Sequence, residues 1–183
     1  PSTACFVQSH IAANRGIPAF DISAACCGFL YALDIANQYV LRGISKNALV
    51  IGVDVFSKIL DWKDRNTCVL FGDGAGAVIL SAKKGKAGIL SSSIHSDGHY
   101  WKMLYAPLVT PSNPFHPPSP PLLRGNTPLS PPLLRGELKG GSENSYLKMQ
   151  GNETFKIAVR TMGETCQKTL DNNGLKVSDI SLL

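Results

Sequence analysis

Two adjacent thiols, Cys26 and Cys27, are the residues of this chain best suited to chemistry. They follow a short apolar run, Pro18-Ala19-Phe20-Asp21-Ile22, that reads as a buried strand, and a helical pattern begins almost at once after it. A cysteine at such a strand-to-helix turn meets the N–H groups and positive end of the helix. These favour thiolate over thiol and can hold a developing oxyanion. The small residues Ser23, Ala24, Ala25 and Gly28 leave room for a substrate to reach sulfur. The competing reading makes both cysteines small core hydrophobes, as most free cysteines are. Spacing and composition alone do not decide between the two.

The elements that must position this turn alternate in type. Ser2 or Thr3 can cap a helix running to about Arg15, with Gly16 as its stop. A second helix is expected from Cys26 to Arg42, apolar around more than one stripe and so buried on most sides, with Gly43 ending it. The run Asn47-Ala48-Leu49-Val50-Ile51-Gly52-Val53 reads as a strand covered on both faces. Residues 54 to 65 read as a loop with a short helix. Two strand-like runs then flank the glycine-rich text Gly72-Asp73-Gly74-Ala75-Gly76. Those glycines could cradle a phosphate, but no Gly-Lys-Ser/Thr or helical pattern follows them, so a tight turn with close backbone packing is expected. A strand from Gly88 to His95, a turn at Ser96-Asp97-Gly98, a short strand at 146 to 150, a helix from Asn152 to Leu170 and an apolar strand from Val177 complete the order. On that helix Phe155, Ile157, Ala158, Met162 and Leu170 are expected to be partly buried. Helices between strands predict an α/β fold with a largely parallel or mixed sheet.

Residues 108 to 139 differ in kind. They hold nine of the twelve prolines, and Ser-Pro-Pro-Leu-Leu-Arg-Gly occurs at 119 to 125 and again at 130 to 136. Proline at this density blocks helix and central strand, so an inserted low-complexity repeat in a surface loop is expected, with a proline-rich docking ligand as the functional alternative. Three parts follow: 1–107, the insertion 108–139, and 140–183.

The five cysteines are odd in number and irregularly spaced, which predicts free thiols in a reducing, cytoplasmic compartment. No apolar run reaches the ~18 residues of a membrane span. A net charge of +5 with no basic run does not indicate nucleic acid. Pro1 at the start and an apolar run ending at Leu183 suggest a piece of a longer chain.

Several motifs in order resemble β-ketoacyl-[acyl-carrier-protein] synthase III, a condensing enzyme of type II fatty-acid synthesis with the layered αβαβα thiolase-like fold. They are Phe20-Asp21-Ile22-Ser23-Ala24-Ala25-Cys26-Cys27-Gly28-Phe29, Asp64-Arg65-Asn66-Thr67, Phe71-Gly72-Asp73-Gly74-Ala75-Gly76-Ala77 and Met149-Gln150-Gly151-Asn152-Glu153-Thr154-Phe155-Lys156. The resemblance covers the chain apart from the proline-rich segment, and only the middle of a family member: most of an N-terminal half and the start of a C-terminal half. It makes Cys26 the nucleophile that takes an acyl group from acetyl-CoA or another acyl-CoA, with malonyl-acyl-carrier protein then supplying a carbanion by decarboxylation. Cys27 takes the variable position after the nucleophile. Arg65 matches a contact to the CoA nucleotide, with Trp62 close by, and Phe71 lies near the acyl pocket. Met149, Gly151 and Phe155 match the pantetheine tunnel, and Lys156 matches a basic patch facing the acidic carrier protein. The resemblance further implies a homodimer for the complete family member, no cofactor and no metal. The family's histidine and asparagine fall beyond Leu183, and none of His10, His95, His99 or His116 has the expected Pro-His-Gln-Ala-Asn context. A polyketide-type acyltransferase and a catalytically incomplete remnant are the alternatives.

Overall fold

The computed structural model describes residues 2–11, 16–85, 88–107 and 146–181. The insertion at 108–139 and His116 lie outside the described residues. The chain divides into two compact units. The first comprises 1–54, 73–96 and 162–183, and the second 55–72 and 97–161.

In the first unit, helix α1 (Thr3–His10) starts at Ser2, whose hydroxyl accepts from Cys5 N at 3.3 Å. The Asp21 carboxylate also accepts from Thr3 N and Ala4 N, each at 2.7 Å. These bonds hold the Asp21 carboxyl below the ordinary range, Ala4 contributing most and Thr3 next. The helix ends at His10, earlier than its apolar spacing predicts. A short 3₁₀ turn, Ala25–Cys27, leads directly into helix α2 (Gly28–Leu41), and Gly43 follows at φ +71, where a side chain would be strained.

Strand β1 (Asn47–Val55) pairs with β2 (Asp73–Ser81). Ala82 N donates to Lys46 O and Ser81 Oγ to Asn47 Oδ1, so the start of β1 lies beside the end of β2, as in antiparallel neighbours. Val50 is buried, and the Phe29 ring of α2 comes within 3.2 Å of where a Gly52 Cβ would sit. The opposite face, with Leu49, Ile51, Val53 and Val55, is exposed.

Several expectations are corrected here. Residues 17–24 and 88–97 form no regular element, because extended backbone becomes a strand only when a neighbour bonds to it, and none does among the described residues. Gly74 and Gly76 lie inside β2 rather than in a turn, and a Cβ on either would meet nothing among the described residues. Helix α2 has no fully buried residue, since β1 and β2 cover only one side of it. Val177–Asp179 is a 3₁₀ turn in place of a strand, closed by Lys176 N donating to the Asp179 carboxylate.

The second unit holds a two-residue antiparallel ladder between β3 (Leu104–Tyr105) and β4 (Lys148–Met149), with Leu104 opposite Met149 and Tyr105 opposite Lys148. Helix α3 (Gly151–Asn172) follows β4, its first part to Thr161 in this unit and the remainder in the first. Its start is tied to the residue just before β3 by Gln150 N and Thr154 Oγ1, both donating to Met103 O. Leu60 and Leu147 are buried, and Leu147 N donates to Ile59 O at 2.8 Å. Phe155 and Met162 are exposed on α3, whereas the helical spacing predicts partial burial, because no described element covers that stripe. In the first unit Gly174, at φ +65, ends the helix as its sequence predicts.

Candidate active site

Cys26 is the central residue of the 3₁₀ turn, and its thiol is exposed beside the exposed Cys27. Ala25 just before it has φ +46, the one non-glycine residue with positive φ among the described residues. That conformation costs an L-residue about 1 kcal/mol and swings the chain sharply into α2, setting the thiol at the outside of the bend. Cys27 N–H donates to Ala24 O at 3.1 Å and Gly28 N–H to Ala25 O. Two of the amides expected to face an oxyanion are therefore committed to the turn itself.

Arg65 sits in a turn that its neighbours lock. The Asp64 carboxylate accepts from Asn66 N and Asn66 Nδ2, each at 3.0 Å, and from the hydroxyl of the fully buried Thr67 at 3.1 Å. The Asn66 amide is the largest cause of an Asp64 carboxyl held below its ordinary range. Burial, the next largest effect, opposes it, and Thr67, the Asn66 side chain and nearby Lys148 add smaller contributions in the same direction as the amide. The outcome is an exposed Arg65 on a rigid turn. Trp62 is exposed, and its carbonyl accepts from the Cys68 thiol at 3.7 Å. Phe71 is half-buried against Phe56, ring centroids 5.0 Å apart.

Met149 and Gly151 meet at the join of β4 and α3, where a Cβ on Gly151 would lie 3.6 Å from Met149 Cε. Met149 also lines a cleft of about 390 Å³ with Asp64, Trp101, Lys102, Tyr105, Lys148 and Gln150. Phe155 is exposed, and Lys156 pairs with Glu153 at 3.1 Å on the surface of α3. Cys26 lies in the first unit, and Trp62, Arg65, Phe71, Met149, Gly151, Phe155 and Lys156 lie in the second. Within the second unit the structure joins Met149 to Gly151 and to Asp64, the residue before Arg65. Trp62, Arg65, Phe71, Phe155 and Lys156 are not among the described walls of the cleft.

Sequence reasoning assigned no role to Trp101, Lys102, Tyr105 or Lys148. The available signal was three aromatic residues, Tyr100, Trp101 and Tyr105, around a lysine just after the Asp97-Gly98 turn. The described histidines bond locally: His10 to Phe6 O, His95 to Ser93 Oγ and His99 to Asp97. Among the described residues no group of three or more His, Cys, Asp or Glu is placed to hold a metal, and no helix is long and apolar enough to cross a membrane.

An exposed thiol at the head of a helix on an α/β framework sits here in a chain whose fold is thiolase-like. Residues 20–98, which contain the thiol, match the family model for 3-oxoacyl-[acyl-carrier-protein] synthase III. The whole chain is 43% identical to β-ketoacyl-[acyl-carrier-protein] synthase III of Methylococcus capsulatus over 183 residues, and 45% identical to that of Coxiella burnetii. It covers 49% and 48% of those relatives. The crystal structure of 3-oxoacyl-[acyl-carrier-protein] synthase III from Aquifex aeolicus superposes with TM-score 0.76 at 40% identity, covering all of this chain and 47% of that one. Over its whole length the chain is homologous to β-ketoacyl-[acyl-carrier-protein] synthase III, and it spans about half the length of the curated relatives it matches.

Proposed function

We propose that Cys26 is the acyl-accepting nucleophile of a β-ketoacyl-[acyl-carrier-protein] synthase III. The observation that carries this reading is the exposed Cys26 thiol on a turn opened by the strained Ala25, inside the segment that matches the family. The thiolate attacks the thioester carbonyl of acetyl-CoA or another acyl-CoA, a tetrahedral oxyanion forms, and CoA thiolate leaves as the acyl-enzyme closes. With the Cys27 and Gly28 amides engaged in the turn, the amide of Cys26 itself is the donor assigned to that oxyanion. Malonyl-acyl-carrier protein then loses carbon dioxide, and its carbanion attacks the acyl carbon to release 3-oxoacyl-carrier protein and the free thiol.

In the same reading Arg65, with Trp62, meets the CoA nucleotide, and Met149, Gly151 and Phe155 flank the pantetheine arm. Phe71 borders the acyl pocket, and Lys156 meets the acidic carrier protein. No cofactor takes part. The reducing cytoplasm suits five free thiols, and the complete family member is a homodimer.

The test is mass spectrometry of the chain after incubation with acetyl-CoA. An acetyl adduct is expected on Cys26, lost in Cys26→Ser and kept in Cys27→Ser. An adduct on Cys27 with none on Cys26 sinks the assignment. The condensation step is measured on a chain completed with the remaining half of the Methylococcus capsulatus relative.

A further inference from the structure

We propose that Lys102, backed by Trp101 and Lys148, is a recognition site for the phosphate at the outer end of a pantetheine arm. The inference rests on the reading that Met149 flanks that arm. The β3–β4 ladder sets Tyr105 directly opposite Lys148, so their side chains leave the same face. The Trp101 ring stands edge-on to Tyr105 with centroids 5.8 Å apart, and Lys102 Nζ lies 5.5 Å from the Trp101 centroid. The order across the face is Lys102, Trp101, Tyr105, Lys148: an aromatic pair with an ammonium group at each end.

All four line the cleft that also holds Met149. Asp64 is the acidic group on that cleft, and its charge is already taken up by the Asn66 and Thr67 donors and by neighbouring Lys148. Lys148 is thus shared with Asp64, and Lys102, resting on an aromatic face, supplies the cleft's surplus positive charge. An ammonium group acts on phosphate as a point charge and needs no fixed planar geometry, which suits an exposed lysine. A thioester-bearing arm alone has no anion to place there. A 4′-phosphate on pantetheine does, and it reaches the protein either as part of an acyl-CoA or on a carrier protein.

The experiment follows tryptophan fluorescence in the full 183-residue chain at low protein concentration, with a Trp101→Phe chain run in parallel so that the Trp101 signal is read by difference. Titration with 4′-phosphopantetheine and with CoA is expected to quench Trp101, with pantetheine binding at least about tenfold more weakly, a difference near 1.4 kcal/mol. Lys102→Gln should weaken both phosphorylated ligands about tenfold and leave pantetheine unchanged, while Lys102→Arg retains binding and circular dichroism reports the fold of each variant. The phosphopantetheinylated carrier protein is titrated on the same variants, and whether it or CoA shares the loss seen with 4′-phosphopantetheine identifies the source of the phosphate, while a loss for CoA with 4′-phosphopantetheine unaffected overturns the proposal. Equal binding of pantetheine and its phosphate, or indifference to Lys102→Gln, overturns the proposal. Acylation of Cys26 is followed on the same variants. An adduct with phosphate-blind quenching sinks this inference alone, and phosphate-sensitive quenching without an adduct sinks the Cys26 reading alone.

Discussion

Asp64 and Asn66 are joined twice, the carboxylate of one accepting from both the backbone and the side-chain amide of the other at 3.0 Å. With the Thr67 hydroxyl these bonds close a turn whose apex is Arg65. Replacing Asp64 by Ala removes the acceptor and frees the turn, whereas Asn keeps one acceptor oxygen. Asp64→Ala is expected to lower the melting temperature and to weaken CoA-dependent acylation of Cys26 about tenfold, as misplacing a binding group does. The loss should appear in the concentration of acetyl-CoA needed rather than in the limiting rate. Asp64→Asn should retain most of both. An Asp64→Ala chain with unchanged melting and unchanged CoA dependence would show that the turn does not position Arg65.

Acid sensitivity follows from three carboxylates. Asp21, Asp64 and Asp97 are each held below the ordinary range, chiefly by the backbone amides of Ala4, Asn66 and His99 respectively. A depressed native value means that the unfolded chain binds protons first as pH falls. The stabilisation is complete above the ordinary aspartate value of about 3.9 and is lost as pH drops through the lower native values. Urea midpoints should be level between about pH 5 and 7 and fall below about pH 4. Asp21→Asn should flatten that fall, and a midpoint rising toward pH 3 would contradict the sign.

What was legible in the sequence was local. The α2 stop at Gly43 and the α3 stop at Gly174 need only a glycine that tolerates positive φ. The Ser2 cap needs only a hydroxyl two or three residues from an amide. The 3₁₀ turn holding Cys26 falls where the apolar run gives way to helical spacing. What was not legible depends on residues distant in sequence. The runs 18–22 and 88–95 have strand composition but no strand neighbour among the described residues, so composition alone misassigned them. Gly74 and Gly76 read as a turn because glycine weakens strand propensity, yet β2 runs through both. The grouping of Trp101, Tyr105 and Lys148 depends on a β3–β4 register that joins residues more than forty positions apart, with no periodicity to announce it.

Thiol reactivity separates the five cysteines. Cys68 is half-buried and donates to Trp62 O, and Cys5 is engaged by Ser2 Oγ at 3.1 Å and by Ala19 O at 3.5 Å. Cys166 lies exposed on α3 beyond its first turns. Cys26, on the turn that opens α2, should be alkylated by iodoacetamide first at neutral pH. Time-resolved peptide mapping reads the order. Uniform labelling of all five would remove the case for a primed nucleophile.

The proline-rich insertion joins two residues that the ladder already fixes, since Tyr105 pairs with Lys148. Deleting 108–139 to join Pro107 to Gly140 leaves about ten residues to span that pair, still ample for a short antiparallel ladder. Loop-closure entropy then falls by about 1 kcal/mol. The shortened chain should melt at the same temperature or higher, and phosphopantetheine quenching of Trp101 should persist. A deletion that unfolds the chain would show that the insertion contributes packing, and the view of it as a tolerated excursion would fail.

Uncovered apolar surface sets the behaviour of the chain in isolation. The buried hydrophobic residues among those described are Val50, Leu60 and Leu147, while Ile79 is 71% exposed on β2 and Val53 55% exposed on β1. Alternation along β1 puts Leu49, Ile51, Val53 and Val55 on one face, and a strand apolar on both faces is built to be covered twice. An exposed sheet face of this kind favours association with another chain. The 183-residue chain is therefore expected to self-associate in light scattering and to bind 1-anilinonaphthalene-8-sulfonate. Val53→Lys should reduce both effects while changing stability by no more than about 0.5 kcal/mol, because more than half of that side chain is exposed. Condensation adds a second requirement: the carbanion needs oxyanion donors beyond the Cys26 turn, and losing such a donor costs about 10²- to 10³-fold. The isolated chain should then give at most slow acylation of Cys26 and no measurable 3-oxoacyl product, and the chain completed with the other half of a relative should give both. A monodisperse monomer that turns over malonyl-carrier protein unaided would show that residues within these 183 supply the donors.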